Sequence, residues 1–272
     1  MSTELPLRPQ VPSTIENIVN LIHDSTRHVP DLHRLSRARK SEFCHDLAFI
    51  VLGVRTGCLV DAIFPSDPIA DFSNLLRILR PMFPLFGNVM HILDPIGNQS
   101  FFVNVPLLRR RLLHLEEIKF VFLPTSESYH LLQGVPIKVR GTLESLIARL
   151  DVTCQPLTLS FILRDSSLSV PVAAVLIDYS VAYIPDPTFT SFLHHVPLNV
   201  YQCIVKFDSH THTLLKYSCP VALGERYADS LCPDRVMADL QSRFGSKDRL
   251  GRCKEVEVQV FHHVETHDRI AL

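Results

Sequence analysis

Nine glycines in 272 residues is a short supply, and none falls in a G-x-G-x-x-G or G-x-x-x-x-G-K-[ST] pattern. Phosphate cradles use glycine so that backbone N–H groups can approach the anion closely. A standard dinucleotide or P-loop site is therefore not expected. The nucleophile elbow G-x-S-x-G and the zinc motif H-E-x-x-H are also missing, and no C-x-x-C pair exists among the seven cysteines. An odd, scattered set of thiols, several within apolar runs, suits reduced buried cysteines in a cytoplasmic or nuclear protein. Charge bias is lacking too. The formal net charge of -1 gives no general attraction to nucleic acid or to an anionic membrane.

Long apolar runs are scarce. The best membrane candidate is residues 47–64, LAFIVLGVRTGCLVDAIF, but Arg55 and Asp61 lie inside it. Each would cost about 2.5–3.5 kcal/mol near the centre of a spanning helix. A buried helix followed by a buried strand, Cys58 to Phe64, explains the run better. Residues 1–13 have neither a basic start nor an apolar stretch and read as a loose arm without a secretory signal.

What is present is ordinary folding material: 46% apolar and 20% charged residues, with no internal repeat. Ser13 and Glu16 form a capping-box pattern before Ile15, Ile18, Val19 and Ile22. Ser41 is placed to cap a helix burying Phe43, Leu47, Ile50, Val51 and Val54. Asp71 opens a helix carrying Phe72, Leu75, Leu76 and Leu79. Val89–Leu93 and Gln99–Val103 read as strands joined at Gly97-Asn98. Asn104 caps a helix with Pro106 in its first turn. Ile118–Leu123 is a strand, and Thr142 is placed to cap a helix of Leu143, Leu146, Ile147 and Leu150.

Ala173–Ile177 is the most uniformly apolar run and reads as a central buried strand ending at Asp178. Val200–Lys206 and Leu214–Cys219 form a hairpin with residues 208–212 at its tip. Asp234–Phe244 is a helix closed by Gly245. In Glu255–Phe261, valines at 256, 258 and 260 alternate with polar residues, the pattern of a half-exposed antiparallel strand. Together these elements imply an α/β (mixed α+β) fold, a mixed parallel/antiparallel sheet flanked by helices. The expected organisation is one domain over 14–272 with a sublobe division near 150–170.

The runs AAVLIDYSVAYIPD from Ala173, PLNVYQCIV at Pro197–Val205 and LLKYSCPVAL at Leu214–Leu223 resemble a eukaryotic family named for open reading frame seventy-four of human chromosome one. The resemblance covers the carboxy-terminal hundred or so residues. It implies no activity and no catalytic residues, because none is established for that family.

Candidate chemistry rests on carboxylates at strand ends, where ligands of open α/β sheets sit. Asp178 ends the strongest apolar run. Asp61 falls within another, where a buried carboxylate needs a partner, a ligand or an edge. These two are the candidate catalytic residues of an acidic pocket at the carboxyl edge of the sheet. Asp94 before Pro95 suits a turn acceptor. His194-His195, His210 with His212, and His262-His263 with His267 are candidate metal ligands by type, but zinc wants three or four ligands of firm geometry, so no metal and no cofactor are expected. The basic run Arg34 to Lys40 reads as a solvated linker. Arg109, Arg110 and Arg111 on one helix point in different directions, and the Thr125 to Ser128 turn serves as a helix start. The balance favours a soluble intracellular interaction or scaffold protein over an enzyme of unfamiliar type, with an unknown protein partner and neither nucleic acid nor membrane.

Overall fold

A computed structural model describes residues 14–61, 63–125, 128–150, 156–163, 165–186, 192–193, 195–207, 210–246, 256–266 and 270–271. The chain opens with helices α1 (Ile15–Ser25), α2 (Pro30–His33) and α3 (Arg37–Val51), then the short strand β1 (Gly57–Leu59) and helix α4 (Pro68–Met82). Strands β2 (Val89–Asp94) and β3 (Gln99–Asn104) form a hairpin through Asn98, whose φ of 50° suits the tight turn. Helix α5 (Val105–Leu112), strands β4 (Lys119–Leu123) and β5 (His130–Leu131), helix α6 (Ile137–Leu150) and strand β6 (Thr158–Ser160) follow. Next are α7 (Ser169–Leu176), β7 (Val181–Pro185), β8 (Phe192–Leu193), β9 (Pro197–Phe207) and β10 (His210–Pro220). The series ends with α8 (Val221–Arg226), α9 (Ala228–Leu231), α10 (Pro233–Phe244), β11 (Val256–Thr266) and β12 (Ile270–Ala271).

The fold is mixed α+β with parallel and antiparallel pairing, as the sequence implies, but the described strands form four small sheets rather than the one mixed sheet expected. One has the order β1-β3-β2-β6, antiparallel except for β2 beside β6. A second, β5-β4-β7, sets β4 and β7 parallel. The third, β10-β9-β11, is antiparallel throughout, and β12 pairs with β8. Helices cover them around two apolar clusters. The first gathers Ile18 and Ile22 of α1, Leu47 and Ile50 of α3, and Leu75 of α4 against Tyr201, Cys203 and Val205 of β9. The second packs Leu108, Leu143, Leu146 and Val175 against Met90, Val103 and Phe120. No helix among the described residues is long and apolar enough to cross a membrane.

Several helix starts lie a few residues from their expected places. Thr14, not Ser13, caps α1 by accepting from the Asn17 N–H at 3.2 Å; Ser13 lies outside the described residues. Ser36 caps α3, so Ser41 sits inside the helix and much of the basic run forms its first turn. Lys40 is buried there and donates to the His33 carbonyl at 3.0 Å. Asp67, followed by Pro68, caps α4 one turn before Asp71. Helix α6 starts at Ile137, leaving Thr142 in its interior. Asn104 caps α5 as expected, accepting from the Leu107 N–H at 3.2 Å.

The larger correction concerns Ala173–Ile177, which is helix α7 rather than a strand. An unbroken apolar run reports burial on every side, and a short helix buried all round carries the same signature. Pro171 sits in its first turn, where a missing N–H is tolerated. The strand in this region is β7, beside β4. Likewise β1 ends at Leu59, so Asp61 is exposed in the segment after it and not inside a buried strand.

Candidate functional site

Asp178 follows α7 with a φ of 73°, a left-handed backbone that reverses the chain into β7. Its carboxylate is 1% exposed. It accepts from the Thr56 N–H and, at 2.8 Å, from the Thr56 hydroxyl, while the Arg111 guanidinium stands 3.6 Å away. Arg111 also donates to the carbonyls of Val175 and Tyr179, at 2.9 and 2.6 Å, tying α5 to the end of α7. From α10, Arg243 donates to the Asp178 carbonyl at 2.5 Å. The aspartate thus anchors the loop after α3 and draws in two arginines, a connector's role.

Next to it, Arg55 donates to Asp46 at 2.8 Å and to the Gly57 carbonyl at 2.8 Å. Burial works against that guanidinium's charge, but Asp46, Cys58 and Asp178 more than offset it and raise its pKa. Asp46 in turn faces His212 Nε2 at 3.0 Å. A chain of polar contacts therefore runs from His212 of β10 through Asp46 of α3 to Arg55, towards the Asp178 corner. Sequence reading missed its members Asp46, Arg55 and Thr56. No local pattern announces a contact between residues 122 apart.

Asp61 is elsewhere. With Arg39, Glu42, Asp46 and Cys58 it lines a cleft of about 30 Å³, which does not include Asp178. Asp94 accepts from the N–H groups of Ile96 and Gly97, both at 3.1 Å, as a turn acceptor should.

His210 and His212 lie on β10 rather than at a hairpin tip; residues 208 and 209 lie outside the described residues. His212 stacks on His45 with ring centroids 5.4 Å apart. His45 donates through Nδ1 to the Ser41 carbonyl at 2.7 Å, and burial holds its pKa below the ordinary histidine value. With Glu16, His23 and Arg37 it borders a groove of about 700 Å³ between α1 and α3. His262 meets Asn199 at 2.9 Å and His263 meets Glu265 at 2.5 Å, whereas His194 and His267 are outside the described residues. Among the described residues no three histidine, cysteine or acidic side chains converge as a metal-binding group.

Arg109 donates to the Leu150 carbonyl at 2.8 Å and Arg110 is exposed, so the arginine triplet disperses as expected. Thr125 accepts from the Ser128 N–H at 3.0 Å in a turn. The thiols of Cys44, Cys58, Cys203 and Cys219 are buried and pushed up to about 12 by that burial, which makes them inert.

The most open constellation is β11. It pairs with β9 over eleven consecutive residues, Val256↔Phe207 to Thr266↔Pro197, with no register shift. Gln241 of α10 donates to the Val258 carbonyl at 3.1 Å, so that carbonyl points away from β9. Strand alternation then turns the backbone groups of Val256, Val260, His262 and Val264 outward as well. Phe261 and Val264 are 45% and 55% exposed. The opposite edge of the sheet is blunted by a register shift in β10 between Thr213 and Leu215, while its Ser218 carbonyl, like that of Val258, is taken by a side-chain donor, the Tyr183 hydroxyl at 2.9 Å.

No family model matches the chain. Curated protein sequences and solved structures give no match either.

Proposed function

We propose that this protein acts by binding other protein chains, without catalysis, and that β11 with the open sheet face beside it is the contact surface. The carrying observation is the unbroken eleven-residue edge strand with outward backbone groups and two exposed apolar side chains. Such an edge accepts an added strand through main-chain hydrogen bonds, while side chains on alternate positions select the partner. The unpaired thiols at Cys44, Cys58, Cys203, Cys219 and Cys232 support a reducing compartment, cytoplasmic or nuclear. The resemblance to the open-reading-frame-seventy-four family belongs to this reading and adds no activity to it.

An acidic-pocket enzyme has less support. The carboxylate of Asp178 is enclosed by Thr56 and Arg111, and Asp61 borders a cleft that Asp178 does not reach.

Site-specific photocrosslinking in cells tests the proposal. A photoreactive residue at Phe261 gives discrete protein adducts that Val264→Lys, a charge on the exposed edge, abolishes. The same residue at Ile137, which is 89% exposed on α6, does not give them. Equal adducts from both positions, or adducts indifferent to Val264→Lys, would sink the reading.

A further inference from the structure

We propose that the occupant of the β11 edge is a second copy of this chain, paired antiparallel about a two-fold axis at Val260. This inference rests on β11 being the contact surface. An isologous interface needs a patch that complements itself, and an antiparallel pair of identical strands meets that need only in certain registers.

The backbone restricts the choices first. The outward groups belong to the even-numbered residues Val256 to Val264, and the Gln241 bond to the Val258 carbonyl sets that phase. The Ser218 carbonyl, turned away from β9 to meet Tyr183, places β10 in the corresponding phase on the other side of β9. Even residues must therefore face even residues of the second copy, which allows a two-fold axis at a residue but not between residues.

Side chains then favour the Val260 axis over the Phe261 axis. With the axis at Val260, Glu257 faces His263 of the second copy and Gln259 faces Phe261. Val256 faces Val264, Val258 faces His262 and Val260 faces itself. An imidazole then stands across from a carboxylate at each end of the pairing, although within each chain Glu257 already accepts from Gln259 at 2.8 Å and His263 already meets Glu265 at 2.5 Å, and Phe261 lies beside the aliphatic stem of a glutamine. With the axis at Phe261, Glu257 would face Glu265, two carboxylates directly opposed, an arrangement that destabilises a strand pair. The Val260 register forms about eight intermolecular backbone hydrogen bonds, the Val258 carbonyl of each copy being held by Gln241.

Edge strands that stay free are usually interrupted by a bulge, a proline or a lysine. β11 has none of these in Val256–Thr266, whereas β10 has the register shift and Lys216. The contrast between two edges of one sheet is what separates a surface kept open from one kept closed.

Sedimentation velocity of the full chain is the test. At about 50 micromolar the protein sediments as a species of twice 30.9 kDa and dissociates on dilution. Glu257→Lys and His263→Glu each raise the dissociation constant about tenfold or more, and the double variant restores it, because the swap rebuilds the opposed pair. Both positions are exposed, so the variants keep the fold, which circular dichroism verifies. A monomer at that concentration overturns the proposal. So does a dimer unmoved by either single change, or a double variant as weak as the singles. A monomeric chain whose position-261 probe still captures other proteins removes the second copy as occupant while leaving the contact-surface reading intact.

Discussion

The Thr56 hydroxyl donates to Asp178 Oδ1 at 2.8 Å, joining two residues 122 positions apart across the boundary between α3 and α7. The Arg111 guanidinium completes the pair from α5 at 3.6 Å. This bond is where three helices and β1 meet, and its chemistry leads to the first expected outcome.

Asp178→Asn leaves one acceptor oxygen for two Thr56 donors and removes the charge facing Arg111. Breaking one side of a buried ion pair costs about 3–5 kcal/mol. Asp61→Asn, on an exposed side chain, shifts stability by about 0.5 kcal/mol or less. Urea unfolding of the two variants in parallel separates them, and similar losses in both would contradict the placement of these residues.

His91 lies on β2 between the rings of Phe72 and Phe102, with centroids at 4.7 and 5.5 Å. Burial lowers its pKa from 6.5 to about 3. The folded state therefore keeps the ring neutral while the unfolded chain takes up a proton. His91 thus favours the fold fully above pH 6.5, and that contribution falls as pH drops from 6.5 towards 3, with a slope approaching 1.4 kcal/mol per pH unit. In His91→Phe, which keeps an aromatic ring in the cluster, the urea midpoint changes less between pH 7 and pH 5 than in the parent. An identical change in both proteins counts against a neutral buried His91.

Two tyrosines give opposite signs. The Tyr201 hydroxyl is buried and meets no partner among the described residues, while the Tyr183 hydroxyl donates to the Ser218 carbonyl at 2.9 Å. Tyr201→Phe leaves stability unchanged or raises it by up to about 1 kcal/mol, because an unsatisfied hydroxyl leaves the core. Tyr183→Phe lowers stability by about 1 kcal/mol, because the part-buried Ser218 carbonyl loses its donor. Thermal unfolding measures both.

Gly57 begins β1 where two carbonyls crowd it. A Cβ there would stand 2.6 Å from the Leu176 oxygen and 2.7 Å from the Phe102 oxygen. Both are backbone atoms of packed elements, so neither can move aside cheaply. Gly57→Ala is expected to cost about 2–3 kcal/mol, near the upper end for overpacking. A neutral effect in chemical denaturation would mean that α7 sits further from β1 than described.

In a folded monomer kept dilute, amide exchange along β11 alternates. The N–H groups of Val258, Val260, His262 and Val264 exchange faster than those of Gln259, Phe261 and His263, which pair with β9. Amide-resolved exchange by nuclear magnetic resonance checks this, and uniform protection along the strand would contradict the assigned phase.

Much of the local structure is legible one element at a time. The valines at 256, 258 and 260 announce a strand with one covered face, and Asn104 before Pro106 announces a helix start, because period and capping chemistry are properties of neighbouring residues. Ala173–Ile177 is not legible in this way. Its residues state that they are buried but not in which backbone state, and the covering elements, α5, α6 and β7, are supplied from elsewhere in the chain. The candidate carboxylates fared unevenly for the same reason. Asp178 stands out in the sequence by its position after an apolar run, yet its partners Thr56 and Arg111 come from distant segments. Asp61 stood out because of apolar neighbours, but β1 ends before reaching it.

Local patterning set the apolar faces, the Asn104 cap, strand alternation, the lack of glycine-rich phosphate loops and the mixed α+β class, since each depends on interactions a few residues long. Tertiary structure alone decided that α7 is a helix, that Asp178 is enclosed while Asp61 is exposed, and that β11 lies at an edge with its even-numbered backbone groups facing outward. Those outcomes depend on which surfaces meet, and the free energy of burial is set by the pair of surfaces rather than by either stretch of chain.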